Sequence, residues 1–256
     1  MSTRAAVAIV SSALVLFGPG VSRAVAVGVY DGFEDGNWTA NPVWFDGNPG
    51  YGIDGGIVAD PVRPSNLVWK AQGTPSGADR VIATTDFAPM SWVGFHSSVE
   101  IFASGGFYNA EMTVADSWQA WSQGTSEGFL VSFDDGHNGH TSLGITEYNP
   151  TGSVLHRQNW DSSEAPPNEW RQVNLWHDPV SGLIKADVRR LSDGHVYVET
   201  SIVPMSLGES PLALLWLGAG GPGGAYWNHL DNPTLTPEPA TFLLLAIGGL
   251  AVRRRR

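Results

Sequence analysis

No cysteine occurs among the 256 residues. That excludes disulfides, thiolate metal sites and a cysteine nucleophile. Basic residues are scarce and unevenly placed. There are 14 Lys and Arg against 25 Asp and Glu, and six of the 14 (Arg4, Arg23, Arg253, Arg254, Arg255 and Arg256) lie at the two ends. Between residues 27 and 236, 8 basic side chains stand against 24 carboxylates. So acidic a body is a poor partner for nucleic acid or anionic lipid. Long heptad-like apolar stripes are missing too, which argues against a helical bundle. No His-Glu-x-x-His metalloprotease motif occurs. Gly220-Gly221-Pro222-Gly223-Gly224 is followed by no Lys-Ser/Thr, so it is a flexible loop and not a phosphate cradle.

The two ends are addressing segments. Arg4 precedes an apolar run from Ala5 to Phe17, a Gly-Pro-Gly break, and Ala24-Val25-Ala26 as a small-x-small cleavage site. Residues 1–26 read as a secretory signal peptide with a helical apolar region. The other end has three parts: Pro237-Glu238-Pro239, an uncharged apolar run from Ala240 to Val252, and Arg253 to Arg256. The four arginines cross a bilayer at high cost and stay on the cytoplasmic side. The run is about 13 residues, short of the ~17–20 that span hydrocarbon comfortably. Residues 237–256 resemble the PEP-CTERM sorting signal of bacterial envelope proteins. That resemblance implies a C-terminal hydrophobic helix, recognition by an exosortase-type membrane protease, cleavage near Pro237, Glu238 and Pro239, and delivery to the cell surface or an exopolysaccharide matrix.

Residues 27–236 form one body large enough for a substantial core. The chain has 31 Gly, 17 Pro and 11 Trp, with only 15% charged residues. Short β-branched and aromatic runs alternate with turn signals, which predicts an all-β fold. Strands are expected at 27–30, 66–71, 80–85, 97–102, 110–115, 127–133, 141–148, 153–158, 170–177, 183–188, 195–202, 212–217 and 226–235. Asn37 to Gly56 reads as a loop. The clearest unit is a hairpin. Trp170, Gln172, Asn174 and Trp176 share one face; Arg171, Val173 and Leu175 share the other. Asp178-Pro179-Val180-Ser181-Gly182 is the turn. The Trp170–Leu175 strand, this turn, the opening Gly32-Phe33-Glu34-Asp35-Gly36 and the closing Leu230-Asp231-Asn232-Pro233-Thr234-Leu235 resemble the concanavalin A-like (laminin-G-like) sandwich family. The resemblance implies an antiparallel two-sheet jelly-roll whose terminal strands lie close together. Pro233 stands where the family commonly has a β-branched residue, which weakens the last ladder or marks an edge.

Candidate site residues follow. Glu34, Asp35 and Asp231 are hard oxygen donors near the two ends of the body and suit a structural Ca²⁺, the one cofactor the pattern suggests. Asp35-Gly36 and Asp231-Asn232 are equally ordinary turn chemistry. Trp118 and Trp121, with Trp38, Trp44, Tyr51, Trp160 and Trp227, are candidates for a sugar-stacking platform, with Asp134 and Asp135 to take hydroxyl groups. Trp69, Trp170 and Trp216 are expected in the core. Asp134 to His140 is dense in metal ligands but reads better as a solvated connection. Glycosidases of this fold resemble a Glu-x-Asp-x-x-Glu pattern, which no stretch here contains. The expectation is a non-catalytic, lectin-like envelope or matrix protein that binds polysaccharide. The alternatives are a diverged sandwich-type hydrolase or lyase, and a purely structural surface protein. A hydrolase predicts two carboxylates facing each other in a tryptophan-lined groove.

Overall fold

The computed structural model describes residues 28–37, 42–46, 56–72, 80–103, 108–117, 127–135, 141–149, 152–160, 168–220 and 227–237. The expected helices at the two ends lie outside these residues. The described chain is all strand and turn. In order the strands are β1 (Val29–Tyr30), β2 (Phe45–Asp46), β3 (Gly56–Ala59), β4 (Leu67–Gln72), β5 (Arg80–Thr84), β6 (Phe95–Ala103), β7 (Tyr108–Ala115) and β8 (Gly128–Asp135). They continue as β9 (Thr141–Asn149), β10 (Gly152–Trp160), β11 (Trp170–Asp178), β12 (Leu183–Arg190), β13 (Val196–Ile202), β14 (Leu214–Gly220) and β15 (Trp227–Pro237).

These strands make two antiparallel sheets. The first runs β13-β12-β11-β6-β15-β4-β3, with β1 added on β15; the second runs β10-β9-β8-β7-β14-β5-β2. The sheets lie face to face, with β9 and β10 against β13 and β14 against β15 and β4. Alternation along each strand builds the core between them. The first sheet contributes Val99, Val173, Leu175, Ile184, Ala186, Val188, Leu230 and Leu235. The second contributes Met112, Val114, Phe129, Val131, Phe133, Leu143, Ile145, Leu215 and Leu217. This is the expected jelly-roll-like sandwich.

The last strand is central. β15 pairs with β6 along one edge; along the other it meets β4 from Trp227 to Leu230 and then β1 at Thr234 and Leu235. Pro233 therefore marks no edge. It sits in a bulge, where the β15–β6 register shifts between Asp231 and Thr234, and Asn232 takes a φ of 46°. The bulge is how a residue with no N–H fits a central strand. Its carbonyl is still used: Asp31 N donates to Pro233 O at 3.2 Å.

Two of the tryptophans expected in the core, Trp69 and Trp216, are buried, as is Trp170, which packs with Val68 and Phe102 in a separate cluster. Trp44, expected among the exposed rings, is buried instead. It packs on Phe33 and donates its Nε1–H to Asp31 Oδ2 at 2.6 Å. Asp31 Oδ1 also accepts from Phe33 N at 2.7 Å, which holds Phe33 at a φ of 55°. Burial pushes the Asp31 carboxyl above its ordinary range, against the pull of these two bonds.

Candidate functional site

Because Val173 and Leu175 face the core, Trp170, Gln172, Asn174 and Trp176 must face outward. Register fixes their neighbours. Trp176 stands between His96 of β6 and Lys185 of β12, Asn174 between Ser98 and Asp187, and Gln172 between Glu100 and Arg189. On β13, Glu199 lies opposite Asp187 and Ser201 opposite Lys185. One sheet face thus collects rings, amides and charges of both signs.

A groove of about 380 Å³ opens on this face. Its walls are Trp176, Lys185, Asp187, Arg189, Glu199 and Ser201, with His156 and Gln158 reaching in from β10. A second hollow of about 220 Å³ adjoins it through Trp176 and Arg189, and is lined by His96, Gln172 and Asn174. Trp176 is half-buried and leaves ring surface for a ligand. His96 meets it edge-on, with ring centres 6.3 Å apart.

A chain of hydrogen bonds fixes the floor. Asn174 Nδ2 donates to Asp187 Oδ1 at 2.8 Å. That leaves Asn174 Oδ1 to accept, so His96 donates from Nε2, at 3.1 Å. Arg189 Nε donates to the other Asp187 oxygen at 2.8 Å, and its Nη2 joins the same oxygen. Asp187 is thereby enclosed, its side chain only 1% exposed, whereas Arg189 keeps 43% and turns its remaining donors outward. Ser98 Oγ completes the row, 2.8 Å from Thr234 Oγ1.

A second network lies further along the same face. Arg63 bonds Asp60 at 2.6 Å and Asp231 at 3.3 Å, and its guanidinium lies 4.8 Å from the centre of the Trp170 ring. Asn66 Nδ2 donates to Asp231 at 2.8 Å. Burial pushes the Asp231 carboxyl up to about 6, with nearby Glu100 adding to the effect and Asn66, Asn232 and Arg63 opposing it. Burial acts on Asp60 as well, but bonds from the Val62 and Arg63 amides, the Arg63 guanidinium and Trp170 outweigh it and hold that carboxyl low.

The proposed calcium ligands fall in different settings. Glu34 is exposed and accepts from Leu67 N at 3.4 Å; Asp35 is exposed and accepts from Asn37 N at 2.8 Å. Asp231 is buried against Arg63 and Asn66. Among the described residues, no three His, Asp or Glu side chains are grouped so as to hold a metal. Asp134 and Asp135 end β8, opposite Asn109 and Tyr108; their side chains lie outside the described residues. So do Trp38, Tyr51, Trp118 and Trp121, the side chains of Trp160 and Trp227, and, in the tail, Glu238, Pro239 and Arg253 to Arg256.

Gly124-Thr125-Ser126-Glu127-Gly128 fits the spelling Gly-x-Ser-x-Gly. A nucleophile elbow needs a strand before the serine and a helix after it. Here Gly128 opens β8, so the context is wrong.

Sequence reading found the Trp170 to Trp176 face but missed what surrounds it. Lys185 and Asp187 follow from the hairpin register. His96, Ser98, His156 and Gln158 come from strands far away in sequence, and no local signal marks them.

Comparison with known proteins bears on the tail and the fold. Residues 235–256 match the family described as the PEP-CTERM protein-sorting motif. Such a motif indicates export and cell-surface association, and implies processing by an exosortase, a membrane protease. No curated protein matches the chain. Among solved structures, a legume lectin-like domain from Entamoeba histolytica superposes with a TM-score of 0.52 at 5% identity, over 73% of this chain and 89% of that one. The CBM2 module of the evolved Dit protein of Lactobacillus casei BL23 phage J-1 gives 0.50 at 7% identity, over 66% and 75%. At such identities the likeness is one of fold: a lectin-like, concanavalin A-like sandwich.

Proposed function

We propose that this is an exported surface or matrix protein whose sandwich binds polysaccharide, without catalysis, on the outer face of β11, β12 and β13. The observation that carries this is the groove at Trp176. A half-exposed indole is set beside fixed donors and acceptors, the combination that takes a pyranose through its C–H face and its hydroxyls. The pre-formed chain His96–Asn174–Asp187–Arg189 needs no ordering when a sugar arrives, which lowers the cost of binding. The sorting motif supports the setting, since it indicates the cell surface, where polysaccharide is found.

One observation favours the hydrolase alternative: Asp187 and Glu199 face each other across β12 and β13 in a tryptophan-lined groove. Directly opposed residues have Cβ atoms ~4.5–5.5 Å apart, close enough for a carboxylate pair. But both Asp187 oxygens are already bonded, one to Asn174 and one to Arg189, and the side chain is 1% exposed. A carboxylate so enclosed is badly placed to reach a glycosidic oxygen. The binding reading is therefore preferred.

A glycan array of the secreted body tests it. Trp176→Ala is expected to weaken binding at least ~10-fold, the equivalent of about 1.4 kcal/mol, with an unchanged melting temperature. A blank array for the parent protein removes the reading. Binding lost instead with Trp118→Ala or Trp121→Ala moves the site to the 118–126 connection. The same array with calcium and with chelator tests the metal. Binding and melting temperature indifferent to chelator remove Glu34, Asp35 and Asp231 as calcium ligands.

A further inference from the structure

The strand that ends the sandwich is also the first part of the sorting motif. Pro237, the first residue of Pro237-Glu238-Pro239, is the last residue of β15 and pairs with Phe95, the first of β6. The apolar run begins at Ala240, three residues on. Three residues of fully extended chain reach about 10 Å. Whatever holds the apolar run therefore holds this end of the sandwich within about 10 Å of itself.

Register shows what else lies at that end. β11 stops at Asp178 opposite Leu183, and β13 stops at Ile202 opposite Ile184. Gly94, just before β6, donates its N–H to His177 near the end of β11. The connection after β13 bonds back to the second sheet, with Met205 N donating to Glu147. Three connections thus meet beside Pro237, at 86–94, 178–182 and 203–211. Exposed apolar side chains cluster in them: Val93 at 45%, Val180 at 95%, Val203 at 78% and Met205 at 55%. At the opposite end of the same strands, among the described residues, Val196 is the exposed large apolar side chain. An isolated exposed valine needs no explanation, but several gathered at one end do.

We infer that this end of the sandwich is a membrane-facing surface. In the tail-anchored precursor, Val93, Val180, Val203 and Met205 rest in the lipid–water interface. The inference rests on the tail being held in a membrane. The occupant's chemistry follows from charge. The three connections contain no Lys or Arg. Two nearby carboxylates are already bonded, Asp178 to Lys185 and Ser181, and Glu147 to the Met205 and Ser206 amides. Contact is therefore made by shallow apolar insertion into a neutral lipid surface, not by attraction to an anionic one. The groove at Trp176 then opens on the flank of a sandwich standing on the membrane.

The absence of cysteine makes the test direct. The full chain, carrying a single Val180→Cys, Val203→Cys or Val196→Cys substitution, is labelled with an environment-sensitive fluorophore. It is reconstituted in phosphatidylcholine vesicles that contain lipids spin-labelled near the headgroup. Val196 is six residues along β13 from Ile202, about 20 Å further from the anchor end. Labels at 180 and 203 are expected to be quenched at least twofold, and the label at 196 not to be. Equal quenching at all three positions, or at none in chain that floats with the vesicles, overturns the orientation while leaving the anchor intact. Chain that does not float with the vesicles overturns the anchor and the inference with it. A twelve-residue Gly-Ser insertion between Pro239 and Ala240 is expected to reduce quenching at 180 and 203. Unchanged quenching shows that the short connection does not set the approach.

Discussion

Asp231 is a residue whose charge works against the fold. It is enclosed by Arg63, Asn66 and the Asn232 amide, and burial pushes its carboxyl up to about 6, from 3.8. The folded chain then holds this proton more tightly than the unfolded chain does. The stability gained is full below about pH 4 and is lost as pH rises through 6. His177 and His229 act in the other direction. Burial lowers both below 6.5, so the stability of their neutral forms is present above that value and is lost as pH falls through the lowered values. Replacing Asp231 separates the two effects. In urea unfolding, Asp231→Asn is expected to gain on the parent by on the order of 2–3 kcal/mol between pH 4 and 7. Parallel profiles for the two proteins contradict the assignment. The sequence marks Asp231 as a carboxylate near the end of the body, and so as a candidate calcium ligand. It does not show that Arg63 and Asn66, more than 160 positions earlier, occupy its oxygens.

Among the elements, the β11–β12 hairpin carries the groove, and its turn is specified locally. Asp178 Oδ1 accepts from Val180 N at 2.9 Å, and Gly182 N donates to Asp178 O at 2.8 Å. Gly182 adopts a φ of 69°, and a Cβ added there meets nothing within 4 Å. Gly182→Ala therefore measures the left-handed backbone cost alone, about 1 kcal/mol in the urea midpoint, with groove binding unchanged. A loss of ~3 kcal/mol or more means the turn sets the register of the whole hairpin. The hairpin was legible because its alternation, turn residues and pairing partner lie within twenty positions. β2 and β3 were not. β2 is two residues long and lies in a stretch rich in Gly, Asn and Pro; β3 starts where that stretch ends. They are strands because β5 and β4 offer them edges, which no local pattern records. Pro233 shows the same limit: its sequence points to an edge, and a bulge lets it stay in the middle.

On the scale of the whole molecule, the two ends of the body are closed against each other. Val29 pairs with Leu235 and Tyr30 with Thr234, so the first strand of the body lies on the last. The approach at the start of this pair is tight: a Cβ on Gly28 would come within 2.3 Å of the Leu235 carbonyl oxygen. Leu235 is fully buried, and Pro237 still pairs with Phe95. The sandwich is thus complete at Pro237 and incomplete a few residues earlier. A chain ending at Pro237 is expected to unfold at the same urea concentration as the full-length protein. A chain ending at Asn232 loses the buried Leu235, the end of the β6 ladder and the whole of β1 pairing, and is expected to be at least ~3 kcal/mol less stable. Equal stability of the two truncations would mean that β1 and the end of β15 contribute nothing to the sandwich. The expected difference gives the position of the sorting motif a physical meaning. Cleavage at Pro237-Glu238-Pro239 takes place at the first point in the chain where removing the tail leaves every strand paired.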